Sequence, residues 1–402
     1  MFKFDFDIQD VEDGIDEAFN ITRNKTEENK NESLQALQLP KPESFAELPI
    51  ADLLDALPSL ISYSPLSVPV SSPRKSVTLL RRDLFDARFQ LISEGAGDAV
   101  EAEDVLNSST KKTALGFLEN PSDLVPGVYE GGLKTWECSL DLVEYLDNVQ
   151  YQSNYSFAGK KILELGCGTG IPSAFIVHEL FSSQSIISDH QDCPQTVIHL
   201  QDYNASVIQL VTLPNLLLAW YASSESTDFR NTLEGDIPST TESGELPITP
   251  ELKSTFLEAL DKLRISIRFF SGSWNSFDPS SIIPSTSNSK QPHYNLLLTS
   301  ETIYRLDSLP TLVALMQKSC VGSVTPNCEL EDSTLKLQIN DSSNVAPSRQ
   351  SMCMIAAKVL YFGVGGGIPD FLKAVKKVGG QVETVLEKKV GVGRQILSVQ
   401  WR

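Results

Sequence analysis

Apolar runs of strand length recur through the C-terminal two thirds of the chain, and each opens into small or polar residues. Ile162, Leu163 and Leu165 close such a run, Gly166-Cys167-Gly168-Thr169-Gly170 follows, and residues 171–181 then take up helical spacing. This order predicts a strand, a sharp turn and a helix. Residues 196–204 alternate like a second strand ending on Asp202, and 204–220 predict the next helix, kinked or ended by Pro214. A helix over 255–263 leads into a third strand at 265–270, which runs into Gly272-Ser273-Trp274. A fourth strand over 294–298 opens at Ser300, and residues 352–362 form a fifth apolar run ahead of Gly363, Gly365, Gly366 and Gly367. A hairpin about Gly391-Val392-Gly393 supplies two more strands. Strands alternating with helices predict an α/β fold, a largely parallel sheet with helices on both faces.

Residues 1–75 read differently, as acidic, Asn, Ser and Pro residues with only short apolar clusters. They predict a mostly disordered acidic tail and linker, because so little burial does not offset the entropy of ordering. Within it Phe2, Phe4 and Phe6 suggest a docking motif or an added edge strand, and 45–57 a short amphipathic helix ended by Pro58. Residues 64–73, with Pro65, Pro69 and Pro73, read as an extended linker. From Val77 the alternation returns, which predicts an extension over 76–130 packed on a core over 131–402. Polar insertions interrupt that core near 223–250, 279–292 and 325–350.

Gly166, Gly168 and Gly170 suit a turn in which positive φ costs little and a ligand lies against the backbone. Dinucleotide sites space the glycines as Gly-x-Gly-x-x-Gly. Here the third arrives one residue early and Glu164 precedes the turn, a combination that resembles the first motif of the Rossmann-like, seven-stranded class I methyltransferases. Those enzymes bind S-adenosyl-L-methionine. A plain packing turn is the bland alternative. Asp202, at a strand end, is placed to accept from ribose hydroxyls. Ser300, Glu301 and Tyr304 follow the fourth strand, at the ligand end of a parallel sheet, where Glu301 either orients the substrate or satisfies a helix dipole. Gly131-Gly132 lets backbone come close, and Trp136-Glu137 offers an apolar plate beside a carboxylate, with core packing of Trp136 the competing role.

Taken together, residues 130–138, 163–170, Gln201-Asp202-Tyr203-Asn204 and 299–304 resemble the protein-histidine N-methyltransferases that modify a large-subunit ribosomal protein. The resemblance spans roughly residues 120–402. It implies that Thr135, Trp136, Glu137, Cys138, Ser139 and Gly166 hold the methionine end of S-adenosyl-L-methionine. It further implies Gln201, Asp202 and Tyr203 around the ribose, Gly272, Ser273 and Trp274 near the adenine, and Ser300 at the reaction centre. Ser273 stands where related enzymes often carry an acid for the adenine amino group. The implied substrate is a basic ribosomal protein, and the implied location is cytoplasm and nucleus, including the nucleolus.

Charge adds to this picture. The chain carries 52 acidic against 33 basic residues, a formal net charge of −19. Such a surface disfavours direct nucleic-acid binding, suits a basic protein partner, and equally suits a monomer kept apart by repulsion. The cysteines form no Cys-x-x-Cys pair and the histidines no ligand spacing, so no metal is expected. No signal peptide or membrane-length apolar stretch is read in the sequence. A lysine methyltransferase of the same fold and a non-catalytic acidic chaperone remain rivals. A nicotinamide-dependent oxidoreductase is disfavoured by the glycine spacing and by the lack of a paired catalytic Tyr and Lys.

Overall fold

The computed structural model describes residues 44–97, 132–183, 194–233, 237–283, 293–321, 351–361 and 365–401. Five parallel strands form the middle of the main sheet: β4 (Lys161–Leu165), β5 (Thr196–Asp202), β7 (Ile265–Ser271), β8 (Leu296–Ser300) and β9 (Met352–Lys358). The hairpin β10 (Gln381–Lys388) and β11 (Arg394–Gln400) joins antiparallel to β9 through β11. The order is β7-β5-β4-β8-β9-β11-β10, with one more strand, β1 (Ala46–Leu48), antiparallel on the β7 edge. The seven predicted strands are therefore present, and the sheet has eight.

Both faces of the sheet are covered, which is why its strands read as near-continuous apolar runs. Ile162, Ile198, Leu200, Leu298 and Met354 point into one core with α3 (Glu137–Ser153), α4 (Ile171–Ser182), α5 (Leu213–Tyr221) and α6 (Pro250–Lys262). Their neighbours Leu163, Leu165, Leu297, Cys353 and Ile355 point the other way, into a core with α7 (Leu309–Val321) and α8 (Ile368–Lys377). Local signals set the helix ends. Thr249 caps α6 by accepting from Leu252 N at 3.1 Å, Pro250 opens it, and Asn154 ends α3 in the left-handed region. Pro214 does not end its helix. A π turn over Ile208–Thr212 precedes it and α5 runs on to Tyr221.

The predicted tail is too long. Residues 1–43, including Phe2, Phe4 and Phe6, lie outside the described residues, but 44–75 is built into the fold. The amphipathic helix is the shorter α1 (Ile50–Asp55), preceded by β1. The expected linker is β2 (Leu60–Pro69), the middle strand of a second, antiparallel sheet with β3 (Ser76–Arg82) and β6 (Gly244–Pro247). The polar stretch 223–250 thus contributes a strand, and also a helix at Thr227–Thr232. The extension predicted over 76–130 supplies β3 and α2 (Leu84–Gly97) before leaving the described residues. Residues 279–282 form a helical turn, and the insertion at 325–350 lies outside the described residues. The fifth strand stops at Lys358 rather than 362.

The small sheet is tied to the main one through Arg82. Its backbone N–H donates to Asn215 Oδ1 at 2.8 Å, and its guanidinium reaches Asp86 and the carbonyl of Leu210. Asn215 Nδ2 in turn donates to the carbonyl of Thr169 at 2.8 Å, inside the glycine turn. The extension thereby braces the turn from below.

Candidate active site

The C-terminal ends of β7, β5, β4 and β8 lie side by side and bring together most of the residues singled out in the sequence. Gly166, Gly168 and Gly170 all have positive φ, at 59°, 52° and 62°. Their neighbours, though, are protein. A Cβ on Gly166 would lie 2.6 Å from Thr302 Cγ2, one on Gly168 3.3 Å from Gly132 Cα, and one on Gly170 2.9 Å from Thr212 Cγ2. The glycines are thus demanded first by the turn and its packing, the reading that was the bland alternative.

Gln201 is the hub of the site. It is buried, its Oε1 accepts from Trp274 Nε1 at 2.7 Å and from Gly166 N at 3.4 Å, and its Nε2 donates to the carbonyl of Gly272 at 2.8 Å. Trp274 is therefore held beside the glycine turn with its ring partly open. Asp202 accepts from Gly168 N at 2.9 Å with one oxygen and from Asn204 N at 3.0 Å with the other. Its first task is to shape the turn, and it stands next to Tyr203, which is partly exposed. Ser273 uses its hydroxyl to cap the short Trp274–Ser276 turn, accepting from Asn275 N, so its side chain is committed locally.

Glu164 lies under the turn. It is 1% exposed, and its Oε2 accepts from both the backbone N–H and the hydroxyl of Ser173 on α4. Burial pushes its carboxyl up to about 7, opposed by the Ser173 hydrogen bonds. A raised carboxyl is held protonated by the fold, so its contribution is complete below about 4.5 and is lost as pH rises through about 7. The Glu164→Gln variant, which cannot ionise, should gain stability relative to the parent across that window, by up to about 3 kcal/mol. Urea unfolding of both chains at pH 4.5 and pH 8 measures the difference; a gap that does not change with pH would refute the assignment.

At the entrance to α3, Thr135 Oγ1 meets Thr169 Oγ1 at 3.2 Å, and Ser139 Oγ donates to the carbonyl of Trp136 at 2.7 Å. The ammonium groups of Lys134 and Lys358 lie 4.7 and 4.5 Å from the centre of the Trp136 ring. Glu137 is exposed, 3.7 Å from Lys358. Cys138 is fully buried beneath this entrance, and burial and the nearby Glu301 carboxylate push its thiol up. Its side chain packs in the core rather than at the cleft.

Glu301 follows β8 with φ at 58°, a left-handed conformation uncommon for a residue with a side chain. Its Oε1 is buried, takes no hydrogen bond among the described residues, and lies 3.5 Å from Lys358 Nζ. Burial, with Glu301 close by, pushes the Tyr361 phenol up, and Tyr361 in turn faces Tyr304 with ring centres 6.2 Å apart. No helix starts at Glu301, since α7 begins at Leu309, so the helix-dipole role does not apply. Ser300 remains half-buried at the strand tip. Of the glycines near 363–367, Gly366 is packed against the protein, where a Cβ would lie 2.6 Å from the Tyr304 carbonyl oxygen, Gly365 faces open space, and Gly363 lies outside the described residues.

Lys358 and Thr302 were not singled out in the sequence. Lys358 had a signal, a lysine closing an apolar parallel strand, whereas Thr302 is distinguished only by its position over Gly166. Among the described residues no group of three or more His, Cys, Asp or Glu is placed to hold a metal ion, and no helix is long and apolar enough to cross a membrane.

The site fits an adenosyl amino acid. Trp274 offers a partly open aromatic plate, the strand end at 201–203 lies next to it, and two ammonium groups flank the α3 entrance where a carboxylate would go. Strand order, glycine turn and aromatic plate together define a Rossmann-like, S-adenosyl-L-methionine-dependent methyltransferase. No protein-family model matches the chain. It is 35% identical over 305 residues to histidine protein methyltransferase 1 of Saccharomyces cerevisiae, covering 75% of this chain and 69% of the relative. It is 28% identical to the protein of the same name from Schizosaccharomyces pombe, over 87% of this chain and 83% of the relative. Among solved structures, a magnesium protoporphyrin IX methyltransferase from Synechocystis aligns over 78% of this chain and 91% of its own at 8% identity, with a TM-score of 0.29. The chain belongs to the histidine protein methyltransferase family. It is an enzyme that uses S-adenosyl-L-methionine as its methyl donor to methylate histidine in protein.

Proposed function

We propose that the histidine methylated lies in a basic ribosomal protein of the large subunit, and that the enzyme acts as a monomer in the cytoplasm and the nucleus, including the nucleolus. The observation that carries the basic substrate is the net charge of −19; histidine as the acceptor is supported by the Glu301 cluster after β8, together with the absence of any residue placed as a strong base among the described residues. Unperturbed imidazole titrates at about 6.5, so near neutral pH a ring nitrogen already offers a lone pair, whereas a lysine at about 10.4 must first be deprotonated. The bound cofactor supplies an electrophilic methyl group. What the protein has to do is hold the ring in line.

Ser300, Glu301 and Tyr304 are half-buried at and just beyond the tip of β8, with Glu301 3.5 Å from Lys358 Nζ. As the new N–C bond forms, the donor's sulfonium–methyl bond would break to leave a neutral thioether, positive charge grows on the ring, and the proton on its second nitrogen would pass to Glu301. The half-buried Glu301 carboxylate favours that charge, and the Tyr304 hydroxyl selects which nitrogen faces the methyl group. The net charge of −19 favours encounter with a strongly basic protein.

The test is to incubate the purified chain with labelled S-adenosyl-L-methionine and ribosomal proteins from cells lacking the enzyme, then hydrolyse each labelled band. Methylhistidine in one large-subunit protein is the expected result. Methyllysine, or label confined to non-ribosomal proteins, would overturn the proposal. In the same assay Glu301→Ala with Tyr304→Phe should lower the rate by about a hundredfold.

A further inference from the structure

Residues 44–48, expected to be part of an unstructured tail, hold both sides of the turn that carries Trp274. Gly272 has φ at 105°, and a Cβ there would lie 2.5 Å from the Ser44 carbonyl oxygen and 2.9 Å from Phe45 Cα. The Phe45 N–H donates to Ser276 Oγ at 3.1 Å, and that hydroxyl donates to the carbonyl of Ser273 at 3.1 Å. The Phe45 ring stacks on Phe270 at 5.3 Å, before the turn, and meets Phe277 edge-on at 4.9 Å, after it. Ala46 pairs with Ser271, and Glu47 grips Arg268 through two hydrogen bonds of 2.7 Å. The turn is thus clamped from outside by the strap and from inside by Gln201.

We propose that this strap is a positioning element for the cofactor. It fixes residues 272–276 so that the Trp274 indole is already in place for the adenine ring, and Phe45 and Glu47 act through the turn without touching the cofactor. The inference rests on the reading that adenine binds at 272–274. A pre-formed plate avoids an ordering cost at the moment of binding. Losing the strap therefore weakens cofactor binding and leaves the chemistry of methyl transfer largely alone.

The experiment uses the full-length chain with Phe45→Ala, Phe45→Leu and Glu47→Ala, titrated with S-adenosyl-L-homocysteine by calorimetry. Hydrogen exchange of the amides at 273–277 is followed without ligand. Phe45→Ala should raise the Kd by about tenfold, raise KM for S-adenosyl-L-methionine far more than it lowers kcat, and speed the exchange. Phe45→Leu should recover part of the loss. Val68→Ala, in the second sheet, controls for simple destabilisation: it should lower Tm and leave the Kd as it was. Trp274→Ala separates the two layers of the argument. If it weakens binding while Phe45→Ala does not, the strap has no positioning role. If Trp274→Ala itself leaves the Kd unchanged, adenine does not bind there and the proposal falls with that reading.

Discussion

Gly166→Val is expected to abolish binding of S-adenosyl-L-homocysteine while leaving the sheet folded. Valine at φ 59° is strained, and its Cβ would lie 2.6 Å from Thr302 Cγ2. Thr302 has little freedom to yield. Its hydroxyl is bonded to Thr299 Oγ1 at 2.7 Å, and Thr299 donates to the carbonyl of Leu165 at 2.8 Å, at the base of the same turn. The turn must move instead, and with it the surface facing the ligand. A displacement of about 1 Å in a positioning element is enough for a hundredfold loss. Calorimetry should show the Kd raised at least that far with the far-ultraviolet circular dichroism spectrum preserved. A variant binding as tightly as the parent would show that the glycine turn is not part of the cofactor site.

Gln201→Leu should be the most costly single change among the site's polar residues. Leucine leaves Trp274 Nε1 without its acceptor and the Gly272 carbonyl without its donor, in a position that is 1% exposed. Stranding two such groups costs roughly 2–4 kcal/mol. Because the indole is no longer tethered, its fluorescence should shift and cofactor affinity should fall by more than the stability loss alone explains. Urea unfolding and ligand titration of the same preparation measure both effects. An unchanged midpoint would mean that the Gln201 bonds contribute nothing net.

Much of this architecture was legible in the sequence because the main sheet is buried on both faces, so Ile162 and Leu163 are both apolar although they serve opposite cores. The second sheet was not legible, and Pro65 and Pro69 explain why. Prolines argue against a central strand. Yet β6 pairs with β2 only from Leu60 to Tyr63, so beyond that point β2 is bordered by β3 alone and the prolines fall where one edge is open. In the site, the glycine turn, Asp202 and Trp274 stood out by residue type and spacing. Local sequence did not reveal that Asp202 bonds backbone N–H groups, that Gln201 ties the Trp274 indole to the Gly272 carbonyl, or that Lys358 from β9 reaches Glu301 just after β8. Those facts depend on which strands become neighbours.

The pairing of Glu47 with Arg268 also bears on how the enzyme is made, for the two residues are 221 positions apart in the chain. Translation proceeds at roughly 5–20 residues per second, so the first partner waits on the order of tens of seconds for the second to be synthesised. During that interval residues 46–48 have no strand to pair with, and β2 has only β3 beside it until β6 is made. Contacts of such long range close late and expose unpaired backbone meanwhile. A nascent chain stalled before residue 265 should therefore be open to proteases at residues 44–48, a vulnerability that ends once β7 emerges.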